Sequence, residues 1–336
     1  MRSLFSLVLV SSLAACGGSS PGTGDDAPID GASSGDAPGA TPAIAVVSAD
    51  ATLTPGQEIT YCYYFHTSNT SEVLINKWVS DMQPGSHHAI LFLNPGATNQ
   101  PADGTLDPSG NCGGLSAQGG ASVWTYATQT VHQEVDLPSD DGNGKPLAQK
   151  IAANTPAVLQ LHYLNATDQP LTAHIDLKAF ALPAGAAYTQ TDAYVTYNQD
   201  ISIPPGAVGK VVTASCPLPA GVKFWTMSTH SHKQSVATDV NDGSANVFHA
   251  IEWEHPGAMN WNNPSFYTFA SPSLTWSCTY DNNLPCDAGQ TTCNKDKTIV
   301  AGASASKNEM CMATGYFFPS TGPKFEVQYN GQCISL

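Results

Sequence analysis

Arginine is almost missing from this chain, and charge of either sign is scarce. Of 336 residues only 12% are charged, against about 25% in an average soluble domain. The basic residues are eleven lysines and a single arginine, Arg2. With 27 acidic residues the formal net charge is -15, which excludes an electrostatic footprint for nucleic acid phosphates. A chain that loses Arg2 has no guanidinium to clamp a carboxylate or phosphate in bidentate fashion. Beyond the amino terminus no apolar run approaches the roughly 18 residues of a spanning helix. No C-x-x-C pair occurs, which removes a zinc ribbon. Helical periodicity is lacking apart from a turn near Ser71 to Trp78, and no short repeat points to a propeller or solenoid.

What is present begins with the segment MRSLFSLVLVSSLAAC. One positive charge, a short apolar stretch and small residues make a secretory signal over residues 1–15. Leu13-Ala14-Ala15-Cys16 is similar to the lipobox of bacterial lipoproteins, which implies an acylated Cys16 and a mature chain without arginine. Residues 16–42 are rich in Gly, Ser, Pro and Asp and bury too little to order themselves, so they are expected to form a flexible tether. The expected location is the bacterial cell envelope, outer membrane included, with the lipid as the membrane contact.

Setting Cys16 aside leaves eight cysteines, namely Cys62, Cys112, Cys216, Cys278, Cys286, Cys293, Cys311 and Cys333. An even number in an exported chain predicts four disulfides, with the pairing open. From Ala43 onward, short alternating apolar runs such as Ile59 to Phe65, Ala157 to Leu164 and Phe224 to Ser228 are broken by many of the 29 glycines and 24 prolines. Such spacing predicts an all-β sandwich or barrel. The stretch Leu182 to Asp200 is the best internal boundary, dividing the folded part into residues 43–186 and 187–336.

The ten histidines are the most informative residues. His230-Ser231-His232 lies in a strand-like run, and a period of two puts both imidazoles on one face. His162 sits in VLQLHYLN, two residues after Gln160. His87-His88 follows Pro84-Gly85, where a bend can aim adjacent side chains at one centre. Met310, in NEMCM, adds a thioether, and imidazole with thioether suits a copper that cycles through its cuprous state. His66, His132, His174, His249 and His255 match no ligand pattern and read as structural or surface residues.

The motifs GSHHAILF, LQLHYLN, THSHK and EMCMATGYFFP resemble, in order and spacing, those of the type II copper, ascorbate-dependent monooxygenases, the family of dopamine beta-monooxygenase and peptidylglycine alpha-hydroxylating monooxygenase. The resemblance runs from about Ile59 to the carboxyl end. It implies two tandem antiparallel β-sandwich domains, jelly-roll-like, each carrying one copper and facing the other across a solvent-filled cleft. One copper would be held by His87, His88 and His162 as an electron store. The other would be held by His230, His232 and Met310 as the oxygen-activating centre, with Gln160 matching a family glutamine. The implied bridges are Cys62 with Cys112, Cys216 with Cys333 and Cys278 with Cys311, leaving Cys286 with Cys293 as a loop closure. The implied activity is hydroxylation of an aliphatic or benzylic C–H of a small molecule by O2, with ascorbate or another small reductant supplying electrons. Peptide amidation is not expected, because Ser228 stands where the peptide-processing relative has a carboxylate-binding arginine, and Met312 and Thr314 replace two of its substrate contacts. The aromatic stretch Ile251 to Trp261, with Phe266 and Tyr267, reads either as a pocket wall or as core. The alternative function is a non-catalytic copper-binding or copper-buffering envelope lipoprotein.

Overall fold

The computed structural model describes residues 41–110, 112, 123–263, 265–283, 294–305 and 307–336. Among these residues there is no α-helix, only a 3-10 turn at Asn294–Asp296 between short strands. The alternating runs have become β-strands stacked as sandwiches. In the first half, a six-stranded sheet is built around Val73–Met82 and Ile175–Ala181, and a five-stranded sheet around Glu58–His66, Pro156–Leu164 and Ser86–Leu93. In the second half, a six-stranded sheet centres on Lys223–Ser231, Cys311–Phe318 and Asp192–Asn198, and a four-stranded sheet on Ser273–Tyr280 and Ser235–Asp242. The ladders are antiparallel except for Thr189–Gln190 on Leu147–Ile151 and Asp192–Asn198 on Lys324–Tyr329.

One local expectation is corrected. The turn near Ser71 to Trp78 is part of the strand Val73–Met82. Its apparent helical spacing comes from a register irregularity opposite Phe180/Ala181, which leaves Asn76 with no residue opposite it in that ladder. The inserted residue puts buried Ile75 and Trp78 three apart before Trp78, Ser80 and Met82 resume a period of two. The stretch Leu182 to Asp200, the expected internal boundary, includes the strand Asp192–Asn198, in which Ala193, Tyr194, Val195 and Tyr197 are buried. Sheet membership passes from the first group to the second between Gln190 and Asp192.

Each half has its own apolar centre, one including Leu53, Trp78, Leu147 and Leu159, the other Phe224, Met227, Val240 and Trp276. Burying side chains of this size stabilises by about 1.5–3 kcal/mol each. Their polar tips are matched, with Trp78 Nε1 donating to Gln149 Oε1 at 2.6 Å and Trp276 Nε1 to the Cys311 carbonyl at 3.0 Å. The two centres interlock, since Trp225 and Phe318 of the second half pack into the first core. Trp225 Nε1 also donates to Thr191 Oγ1 at 2.8 Å.

Three disulfides close the described chain, Cys62–Cys112, Cys216–Cys333 and Cys278–Cys311. Cys16, Cys286 and Cys293 lie outside the described residues. Disulfides of this kind persist in oxidising compartments, so the folded part belongs to an exported protein. No helix among the described residues is long and apolar enough to cross a membrane.

Candidate metal centre

His88 pairs with His162 across neighbouring strands, and Tyr163 then pairs with Ser86, so His87 is the extra residue of a β-bulge. A bulge breaks the alternation of side chains, which lets the doublet face one centre. From the second half, His230 pairs with Met312 across the Lys223–Ser231 and Cys311–Phe318 ladder. His232 follows just past the end of its strand, where a turn closes through the Ser235 N–H to the His232 carbonyl.

These five imidazoles form one cluster. Ring centroids are 5.1 Å apart for His87 and His88, 4.9 Å for His88 and His162, 4.9 Å for His88 and His230, and 5.4 Å for His230 and His232. The two ligand sets implied by resemblance therefore meet instead of standing on opposite walls of a solvent-filled cleft. None of the five is more than 8% exposed. His87, His88 and His230 each bring one ring nitrogen to within 4.8 Å of the others, a trio drawn from both halves. Met310 lies close by, lining a small cavity of about 50 Å³ with His88, His230 and Gln160.

Most of the rings are held by one nitrogen. His230 Nδ1 hydrogen-bonds Gln129 Oε1 at 2.7 Å, His232 Nδ1 donates to the Asn308 carbonyl at 3.1 Å, and His162 Nε2 meets Glu58 Oε1 at 3.0 Å. Among the described residues, four ring nitrogens of the cluster are buried without a hydrogen-bond partner, His87 Nε2, His88 Nδ1, His230 Nε2 and His232 Nε2. Buried polar atoms are nearly always paired, so four orphans in one cluster describe a donor set that suits a metal ion. Burial, reinforced by the neighbouring imidazoles, holds His87, His88 and His230 well below the ordinary histidine range, and His232 down to about 4. These four rings are thus neutral at pH 7, as ligation requires. Glu309, beside Met310, accepts the backbone N–H groups of His232 and Gln234. Burial pushes its carboxyl up to about 8 against those hydrogen bonds.

A second cavity of about 560 Å³ adjoins the cluster. Trp124, Ala127, Gln129 and Thr314 line both cavities. Its walls include the stacked pairs Trp78–Tyr126 and Trp225–Tyr316. Ser228 is on this wall with its hydroxyl donating to the Gly257 carbonyl. The aromatic stretch divides between its two readings. Trp253 packs 5.0 Å from His87 and His255 lines the large cavity, whereas Trp261, Tyr267 and Phe269 pack against the second core. Four other histidines are surface partners of aspartates, His66 with Asp103, His132 with Asp81, His174 with Asp50 and His249 with Asp239.

Sequence reasoning did not find Glu58, Gln129 or Asn308. No local signal marks them, since Gln129 and His230 are 101 positions apart and Glu58 and His162 are 104.

No protein-family profile matches the chain, and no curated protein matches it. Among solved structures, the major capsid protein P2 from bacteriophage PM2 is similar over 82% of this chain and 100% of its own, at 8% identity and a TM-score of 0.33. The PBSX exported protein XepA covers 81% of this chain and 86% of its own, at 9% identity and a TM-score of 0.19. Likenesses this slight carry no conclusion about the site.

Proposed function

We propose that this protein is a copper-dependent monooxygenase of the bacterial envelope, hydroxylating a C–H bond of a small molecule. The observation that carries the reading is the set of four buried, unpartnered imidazole nitrogens, two of whose rings, His88 and His230, line a small cavity with Met310 that shares a wall with a cavity of about 560 Å³. Neutral imidazoles with a thioether favour copper over harder cations. The family resemblance would assign His87, His88 and His162 to one ligand set and His230, His232 and Met310 to the other, while the closest approach of ring nitrogens joins His87 and His88 to His230. Bound copper would supply one-electron redox chemistry and activation of dioxygen. One oxygen atom enters the product and the other leaves as water, so the turnover takes two electrons and two protons from outside, with ascorbate or another small reductant as donor.

The chain's own residues define what the large cavity admits. Among the described residues its lining includes no lysine or arginine, and its carboxylates Glu134 and Asp136 are paired with Lys77 at 3.1 and 3.8 Å, so it favours neutral molecules over anions. Its aromatic walls offer apolar contact, and Ser228 has no charge with which to hold a peptide carboxylate. Acylation at Cys16 would tether the enzyme to the membrane, and loss of lipid labelling and of membrane partition on Cys16→Ser tests that part.

The purified protein should bind two coppers and consume oxygen with ascorbate in the presence of a substrate from a panel of amines, aromatics and short peptides. Met310→Ile should abolish hydroxylation while the histidines still retain copper. Stoichiometric copper with no hydroxylated product across the panel would favour copper buffering instead. Absence of stoichiometric copper after dialysis would remove both readings.

A further inference from the structure

We propose that Gln129 is a positioning residue of the histidine centre, a side chain of the first half that sets the tautomer of His230 in the second. This inference rests on reading the cluster as a metal site. Gln129 follows the strand Val123–Thr128, where the Thr128 hydroxyl donates to the Thr130 carbonyl at 3.3 Å and accepts the Thr130 N–H at 3.4 Å. That local turn presents the glutamine toward the second half. There its Nε2 donates to the Thr229 carbonyl at 3.3 Å. A carbonyl only accepts, so the amide nitrogen must face Thr229 and the amide oxygen must face His230. Oε1 in turn only accepts, and it lies 2.7 Å from His230 Nδ1. Nδ1 therefore carries the proton, and the lone pair of the neutral ring is on Nε2.

That Nε2 is the buried atom left without a hydrogen-bond partner, and His230 belongs to the trio whose nitrogens approach one another. The amide thus acts on the metal site through His230, as the outer partners of metal-binding histidines do in general. Gln129 also belongs to the wall shared by the two cavities. His230 is consequently oriented from the side facing the large cavity, and only when the two halves are seated together. Neither the Glu58 contact nor the Asn308 contact reaches His230, since these hold His162 and His232.

The test is imidazole nitrogen NMR on the metal-free full chain, together with titration by Cu(II). In the wild type, His230 should carry its proton on Nδ1. Gln129→Glu keeps an acceptor and should preserve that tautomer, with a copper affinity no lower than that of the wild type. Gln129→Leu keeps the bulk but not the acceptor, and should give a mixture of tautomers with Cu(II) affinity lowered about 10–100-fold and a somewhat lower thermal midpoint, since His230 Nδ1 and the Thr229 carbonyl lose their partner. A wild-type proton on Nε2, or a leucine variant with wild-type tautomer and affinity, would overturn the proposal. Should the leucine variant not fold, the spectra of the wild type and of Gln129→Glu decide it alone. If no protein binds Cu(II) while the tautomer is as stated, the metal reading fails and the role of Gln129 on His230 stands.

Discussion

The Glu58 carboxylate meets His162 Nε2 at 3.0 Å and also accepts the Ser304 hydroxyl at 3.1 Å, so one side chain joins a candidate ligand of the first half to the loop that precedes Met310. His162 is buried and Glu58 mostly so, with side-chain exposures of 3% and 13%. A carboxylate behind a ligating imidazole fixes the ring and raises its basicity. Glu58→Ala should lower Cu(II) affinity by about 10–100-fold and also reduce stability, because buried donors lose their acceptor at about 1–3 kcal/mol each. Glu58→Gln keeps an acceptor oxygen and should recover most of the stability but not the full affinity. Calorimetric titration and thermal unfolding on the two variants separate these effects, and equal affinity in all three proteins would rule out the carboxylate's role.

Stability of the metal-free protein should depend on pH through its buried histidines. His87, His88, His230 and His232 are all lowered by burial, while in the unfolded chain each titrates near 6.5. The unfolded state therefore binds more protons as pH falls below about 6.5, and stability declines in that direction toward about 4, by up to about 1.4 kcal/mol per pH unit for each histidine. Above about 6.5 this contribution is complete. Urea midpoints measured at pH 7.5, 6.0 and 5.0 should fall in that order. Saturating copper or zinc should move the decline to lower pH, because protons must then displace a metal.

Gly302 is the small residue that lets the Met310 loop fold back on itself. A Cβ there would lie 2.5 Å from Cγ of Asn308, whose carbonyl holds His232 Nδ1. Gly302→Ala should destabilise by about 1–3 kcal/mol through overpacking and weaken metal binding by displacing that carbonyl. Gly96→Ala, where a Cβ meets nothing within 4 Å, should change stability by less than about 0.5 kcal/mol. Thermal melts with a copper titration on both variants check the contrast.

Reduction of the Cys278–Cys311 bridge should be felt at the centre, because Cys311 adjoins Met310 and pairs with Ser231. Replacing both cysteines by serine should cost about 2–5 kcal/mol of stability and lower the affinity for Cu(I), the ion that prefers the thioether, more than for Zn(II). Parallel titrations with the two ions are the check. An equal loss for both would indicate a general loosening of the second half.

Much of the centre was legible because it depends on local backbone period. The alternating runs formed the strands expected of them, and His230 and His232 do come together, with ring centroids 5.4 Å apart, although His232 stands just past the strand Lys223–Ser231 and is aimed by the turn that follows it. The His87-His88 doublet was legible as a pair, but its cause was not. Its convergence comes from a bulge set by the pairing of Ser86 with Tyr163, a matter of register between strands distant in the chain. The turn expected near Ser71 went astray for a related reason, since a bulge at Asn76 gives a strand the spacing of a helix.

By itself the sequence determined an exported, β-rich chain with too little positive charge for nucleic acid, and histidines placed to share strand faces. Those properties follow from composition and from the two-residue period of a strand, which neighbouring residues impose on each other. Only the tertiary structure decided that both histidine groups meet in one buried cluster, and that Gln129, Glu58 and Asn308 hold its rings. Those partners are chosen by sheet register and by the packing of Trp225 and Phe318 into the opposite core. Both depend on the total apolar surface buried across the whole fold, which no short stretch of sequence encodes.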